Sequence, residues 1–121
     1  MAFPIEKITD NCFTYHWVHE NEYQDEVLSP NVFRNKGLGM SGDWNKYSTP
    51  QATRNRVANY GRDPFDFGVI SLFVKSVRAI DSQTVDHDPK NHNQAHSEIR
   101  GVKSEMILLE FLDIYEWEIN I

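Results

Sequence analysis

The stretch Cys12-Phe13-Thr14-Tyr15-His16-Trp17-Val18 alternates along its length, with Phe13, Tyr15 and Trp17 on one side and Thr14 and His16 on the other. A period of two is that of a β-strand, so the fold is expected to begin with one. The C-terminal residues repeat the pattern. Tyr115, Trp117, Ile119 and Ile121 alternate with Glu116, Glu118 and Asn120, as in a terminal strand with one buried face. Between these two strands the period changes. Thr49-Pro50 reads as a helix N-cap followed by proline at the first helical position, and Gly61 stands where a helix stops. A helix is therefore expected over 50–60, burying Thr53, Val57 and Tyr60 and leaving Arg54, Asn55 and Asn59 in water.

Residues 67–80 fit both periods. Val69, Ile70, Val74, Val77 and Ile80 favour a pleated surface, so the segment reads as a buried strand that Asp81-Ser82 turns into a hairpin with Thr84-Val85. Ser104 followed by Glu105 starts a short helix through about Leu112. Residues 21–25 and 88–94 are polar and loop-like, and Ser29-Pro30 opens an extended stretch through Phe33. Residues 35–42 hold three glycines in eight positions and read as a loop. Mixed elements without a regular strand-helix-strand rhythm imply an α+β fold, a mostly antiparallel sheet with two or so helices packed on one side. No repeat or linker-like tract divides the chain, so 1–121 is read as one domain.

At 121 residues and 40% hydrophobic composition, the chain is long and apolar enough to build one core without staples. Cys12 is the single cysteine, which excludes an internal disulfide and suits a reducing, cytoplasmic compartment. The N-terminal residues lack a basic region followed by an apolar stretch, so no secretory signal is expected. The apolar run Met106–Leu109 falls far short of the ~20 residues of a membrane span. A net charge of −6 argues against general nucleic-acid binding. The charge is also unevenly spread. Residues 1–33 hold six acids and one base, residues 104–121 five acids and no base, and residues 34–62 six bases against Asp43 alone.

Two segments have compositions suited to chemistry. In 86–98, His87, His92 and His96 fall within ten residues beside Asp86, Asp88 and Glu98. Imidazole and carboxylate are ordinary metal ligands, and histidine also accepts and donates protons near neutrality. Pro89 and the Asn-rich run mark a loop, however, and the glutamate of an HExxH motif is absent after His92, so no metal ligands are assigned. His87 and His96 are the candidates for acid-base work. In 34–47, glycines can offer backbone N–H groups to an anion, Arg34 can grip a phosphate, and Trp44 or Tyr47 can stack on a base. The segment matches neither a P-loop nor a dinucleotide fingerprint. Packing of Trp44 and Tyr47 into the core is the competing reading, and for Cys12 a buried, inert thiol on a strand beside Phe13 is expected over a nucleophile.

The order Tyr15-His16 on the first strand, Ser41 in the central loop and Glu98 late resembles the strand histidine or arginine, central hydroxyl and late glutamate of ADP-ribosyltransferase-like enzymes. Separately, Phe33 through Gly37-Leu38-Gly39-Met40-Ser41-Gly42-Asp43-Trp44, and Asp86 through Gly101, resemble two blocks of a small uncharacterised bacterial protein family. That family shows a Gly-Leu-Ser-x-x-Trp block and a His-x-Pro…Asn-x-Ala-His-x-x-Ile-x-Gly block. Met40, inserted between Gly39 and Ser41, departs from the first. This second resemblance supplies no activity, and implies that Ser41, Trp44, His87, Asn93 and His96 lie near one another.

The resulting expectation is a cleft between the glycine-rich loop 35–42 and the histidine-rich loop 86–98 that binds a polar or anionic ligand. Arg34, Ser41, Trp44 and Asn93 would contact the ligand, and His87 and His96 would supply hydrogen bonds or proton transfer. No cofactor is named by the residues. Two other classes stay open: a protein-interaction or regulatory module that pairs through its acidic ends or an open strand edge, and a nucleotide- or metal-dependent enzyme.

Overall fold

The computed structural model describes residues 2–121 and shows the α+β fold expected. Eight strands and three short helices follow in order: β1 (Phe13–His19), β2 (Tyr23–Gln24), β3 (Val27–Leu28), β4 (Met40–Trp44), α1 (Pro50–Asn55), β5 (Phe67–Phe73), α2 (Val74–Arg78), β6 (Thr84–His87), β7 (His96–Arg100), α3 (Glu105–Leu112) and β8 (Glu116–Ile119). Six of the strands form one antiparallel sheet in the order β6-β7-β4-β1-β5-β8, and β2 and β3 form a separate small hairpin. Asp25 and Glu26 take positive φ at its tip, as a tight two-residue turn requires. Among the described residues no helix is long and apolar enough to cross a membrane.

The alternation in β1 is real, but the side it buries is the less apolar one. Thr14, His16 and Val18 are buried, while Phe13, Tyr15 and Trp17 are only half-buried. Antiparallel partners share a face, so the register continues the buried side through Trp44, Ile70 and Leu72. Met40, Val85 and Ile99 extend it through β4, β6 and β7. Against this face pack Phe33, Ile107, Leu108 and Phe111, with the Phe33 and Phe111 rings stacked at 5.2 Å. Full burial of such a side chain contributes roughly 1.5–3 kcal/mol, which makes this face the main source of stability. The opposite face, carrying Tyr15, Trp17, Asp43 and Val69, lies under α1. There the Trp17 indole donates to the Thr53 carbonyl, and Val57 is fully buried.

Local signals explain most of the elements. Thr49 caps α1 by accepting from Ala52 N–H, a tighter 3-10 turn continues the helix through Tyr60, and Gly61 ends it at φ 74°. Thr53 and Val57 are buried as expected, whereas Tyr60 is exposed at the rim of the cleft described below. Ser104 caps α3 in the same way. Residues 67–80 divide between the two periods they fit. The first seven form β5, and the remainder turns into α2, which buries Val74 and Val77 at a spacing of three. This corrects the expected hairpin. β6 pairs with β7 and not with β5, because α2 carries the chain away from β5 to the other half of the sheet. The glycine-rich loop is also shorter than 35–42, since Met40, Ser41 and Gly42 belong to β4.

Candidate functional site

The sheet is not evenly knit. β1 pairs with β5 along all seven of its residues, but with β4 only at Thr14–Trp44 and Tyr15–Asp43. Beyond that point the two central strands part, and the His16 ring fills the seam. Its Nδ1 donates to the Ser41 carbonyl at 2.9 Å and its Nε2 accepts from the Thr14 hydroxyl at 2.7 Å, so a side chain replaces the missing ladder bond. Gly42 makes this possible. A Cβ there would lie 2.3 Å from His16 Cε1, so Gly42→Ala is expected to displace the ring and cost about 1–3 kcal/mol as overpacking, measurable by urea denaturation. A loss under about 0.5 kcal/mol would show that the seam relaxes freely.

A cleft of about 560 Å³ opens from the parted strands on the side of α1, within the ordinary size of small-molecule sites. Its walls are Tyr15, Trp17, Tyr60 and Phe67, and its rim carries Arg34, Lys36, Arg56 and Arg62 against Glu22 and Asp43. All four cations come from the basic central stretch, so an acidic chain presents a cationic cleft. Arg56 is paired with Asp43 at 2.8 Å, whereas Arg34, Lys36 and Arg62 have no carboxylate partner among the described residues. Arg62 lies over the Phe67 ring and Arg34 Nε donates to Asn31.

Around Ser41, which lines the cleft, three adjacent strands contribute one polar group each, with Glu98 outside the lining. Ser41 on β4 donates to Glu98 Oε2 on β7 at 3.2 Å, and the Ser41 carbonyl receives His16 from β1. His96, two residues before Glu98 on the same face of β7, brings Nε2 to 3.3 Å from Ser41 Oγ. Its Nδ1 donates to the Asp88 carbonyl at 2.8 Å and lies 3.6 Å from that residue's carboxylate. Burial pushes the His16 pKa down to about 4, although the Ser41 carbonyl and the charge on Asp43 pull the other way. Lys103, half-buried near the end of β7, is pushed down to about 8 by burial, with Glu98 opposing.

The residues singled out from sequence divide between the two faces of the sheet. Arg34, Ser41, Asn93 and His96 all line the cleft. Trp44 and His87 lie on the opposite, core face, edge to face at 5.1 Å. Trp44 therefore offers no stacking surface to the cleft, because it falls one residue out of phase with Asp43 along β4. His87 spends both nitrogens on the backbone: Nδ1 accepts from Glu6 N–H and Nε2 donates to the Gln94 carbonyl. Asn93 is largely committed too, donating to Asp43 and accepting from Ala95 N–H. Cys12 is half-buried beside Thr9.

The three histidines of 86–98 do not converge, since His87 faces the core, His92 the solvent and His96 the cleft. The one grouping of three metal-type side chains among the described residues, His19, Glu20 and Asp66, lies outside this segment. Trp17, Arg56 and Arg62 enter the site without having been assigned to it from the sequence. The half-open aromatic side of β1 and the excess of bases over 34–62 were the signals available. No protein-family model, curated protein or solved structure matches the chain.

Proposed function

We propose that the cleft binds an anionic nucleotide and that the chain is an ADP-ribosyltransferase-like enzyme acting on the glycosidic bond of that ligand. The observation that carries this reading is the meeting of His16, Ser41 and Glu98. Three residues that resembled such enzymes only by their order in the chain stand on adjacent strands, joined by hydrogen bonds, with His16 and Ser41 lining a cationic cleft with aromatic walls and Glu98 buried behind Ser41. Each part suits the ligand. Unpaired guanidinium and ammonium groups attract a diphosphate, and arginine can grip it with two donors. The exposed faces of Tyr15, Trp17 and Tyr60 offer stacking for a base. A carboxylate close to a ribose stabilises positive charge as its glycosidic bond breaks, and can hold a ring hydroxyl through bonds that strengthen in the transition state. Glu98 would act from behind Ser41, whose hydroxyl it holds. His16, neutral and fully engaged, would set the position of β4 and of Ser41.

Calorimetric titration with ADP-ribose tests the binding half. Binding that weakens with salt is expected, and Arg34→Ala or Arg62→Ala should each reduce affinity about tenfold, or ~1.4 kcal/mol. Absence of ADP-ribose binding, or wild-type affinity in both variants, would remove the reading. The catalytic half is tested by release of nicotinamide from NAD, which carries ADP-ribose on a cationic base. Glu98→Gln should lower kcat by at least about 100-fold while ADP-ribose still binds.

A further inference from the structure

We infer that His96 is a second catalytic group of this cleft, the base that takes the proton from the hydroxyl or water attacking the ribose carbon. The inference rests on the reading above and adds to it a role for different atoms. A nucleophilic oxygen must lose its proton as it bonds to carbon, and Glu98 is poorly placed to receive it. That carboxylate is buried and already accepts the Ser41 hydroxyl. His96 is half-buried and lines the cleft.

Its orientation is set by the hairpin that carries it. The Asp88 carbonyl can only accept, so the 2.8 Å contact places a hydrogen on Nδ1 and leaves the lone pair of the neutral ring on Nε2. The Asp88 carboxylate, 3.6 Å from Nδ1, stabilises the ring once it is charged, and is itself held by Lys90 at 3.1 Å. His16 and His87 have both nitrogens committed inside the protein. The partner of His96 Nε2 is the Ser41 hydroxyl, a rotor with a second acceptor in Glu98 at 3.2 Å. When that hydroxyl turns wholly to Glu98, Nε2 is open to an incoming O–H. Serine thus links the two groups, one steadying positive charge at the ribose and the other clearing a proton from the acceptor.

The step balances. The acceptor oxygen bonds to the ribose carbon and its proton passes to His96 Nε2. The bond from that carbon to the cationic nitrogen breaks with its electron pair, releasing a neutral base, and the ring then discharges its proton to solvent.

The test uses the whole chain with NAD as donor and water as acceptor. His96→Gln is expected to lower kcat about 100-fold with KM within about threefold, and His96→Ala to regain activity with added imidazole. Nitrogen NMR of the wild-type protein is expected to show the Nδ1–H form of the neutral His96 ring. Wild-type kcat in His96→Gln, while Glu98→Gln is inactive, overturns the inference and leaves the proposed function standing. An Nε2–H ring, or a failure of imidazole to rescue His96→Ala, also overturns it. Wild-type protein that leaves NAD intact overturns both.

Discussion

Asp43→Ala is expected to lower the unfolding free energy by about 3–5 kcal/mol, read as a fall in the urea midpoint, because it removes the acid that holds three elements together. The Asp43 carboxylate is buried and accepts four hydrogen bonds. Oδ2 takes the Thr53 hydroxyl at 2.9 Å and both Nε and Nη2 of Arg56, at 3.1 and 2.8 Å, and Oδ1 takes the Asn93 amide at 2.8 Å. One side chain on β4 thereby fixes α1, the turn that follows it, and the tip of the β6–β7 hairpin. With alanine, a largely buried guanidinium loses its counter-ion and the Asn93 amide loses its acceptor, and such orphaned groups cost more than an intact pair contributes. Replacing both partners, with Asp43→Leu and Arg56→Met together, should therefore cost less than Asp43→Ala alone. A single-variant loss below about 1 kcal/mol, or a double variant worse than the single one, would show that the pair is not the tie described.

The fold was legible wherever a signal was local. Thr49-Pro50, Gly61 and Ser104 mark helix ends by hydrogen bonds and backbone angles that depend on a few neighbouring residues, and α1 and α3 lie where these residues place them. The alternations in β1 and β8 also survive as strands. Partner choice is a different kind of property. Residues 67–80 fit both periods, but nothing within 67–87 decides that α2 intervenes or that β6 pairs with β7, because that choice depends on burying Val74 and Val77 against a core assembled from distant segments. The burial of Thr14 and His16 in place of Phe13, Tyr15 and Trp17 has the same origin. A buried polar face is tolerated when its hydrogen bonds are met, and one of the two bonds of the His16 ring is made to Ser41, 25 positions away.

The site was legible in composition but not in phase. The histidine-rich and glycine-rich segments do meet, as neighbouring strands β7 and β4, and Ser41, Asn93, His96 and Arg34 share the cleft. A strand sends successive side chains to opposite faces, so a one-residue difference decides whether a group faces cleft or core. Trp44 and His87 fall on the core side of that division, while Asp43 and His96 fall on the cleft side. Composition cannot supply the phase, which required the register of β4 against both β1 and β7.

His16 provides the second large effect, on the pH dependence of stability. In the unfolded chain its imidazole should titrate near 6.5, whereas burial in the seam lowers it to about 4. Between those values the unfolded state binds a proton that the folded state refuses. Stability therefore rises with pH across this window, is fully present above about 6.5, and is lost as pH falls toward 4, by about 3 kcal/mol in total. Asp88, whose carboxyl is held below the usual range by Lys90, His96 and Arg100 despite partial burial, loses its contribution only at lower pH. Urea titrations at pH 7, 6, 5 and 4 should show the decline in the wild-type protein and a flatter profile in His16→Gln, which keeps a donor but cannot titrate. Proton NMR should place the folded-state midpoint of His16 near 4. Equal slopes in the two proteins, or a midpoint near 6.5, would sink the account. The same titration reaches the site, because a proton on Nε2 removes the acceptor of the Thr14 hydroxyl and puts a charge inside the seam that positions Ser41. Loss of the proposed ADP-ribose binding as pH falls toward 4 should then precede global unfolding, since the parted strands are held at that point by one imidazole.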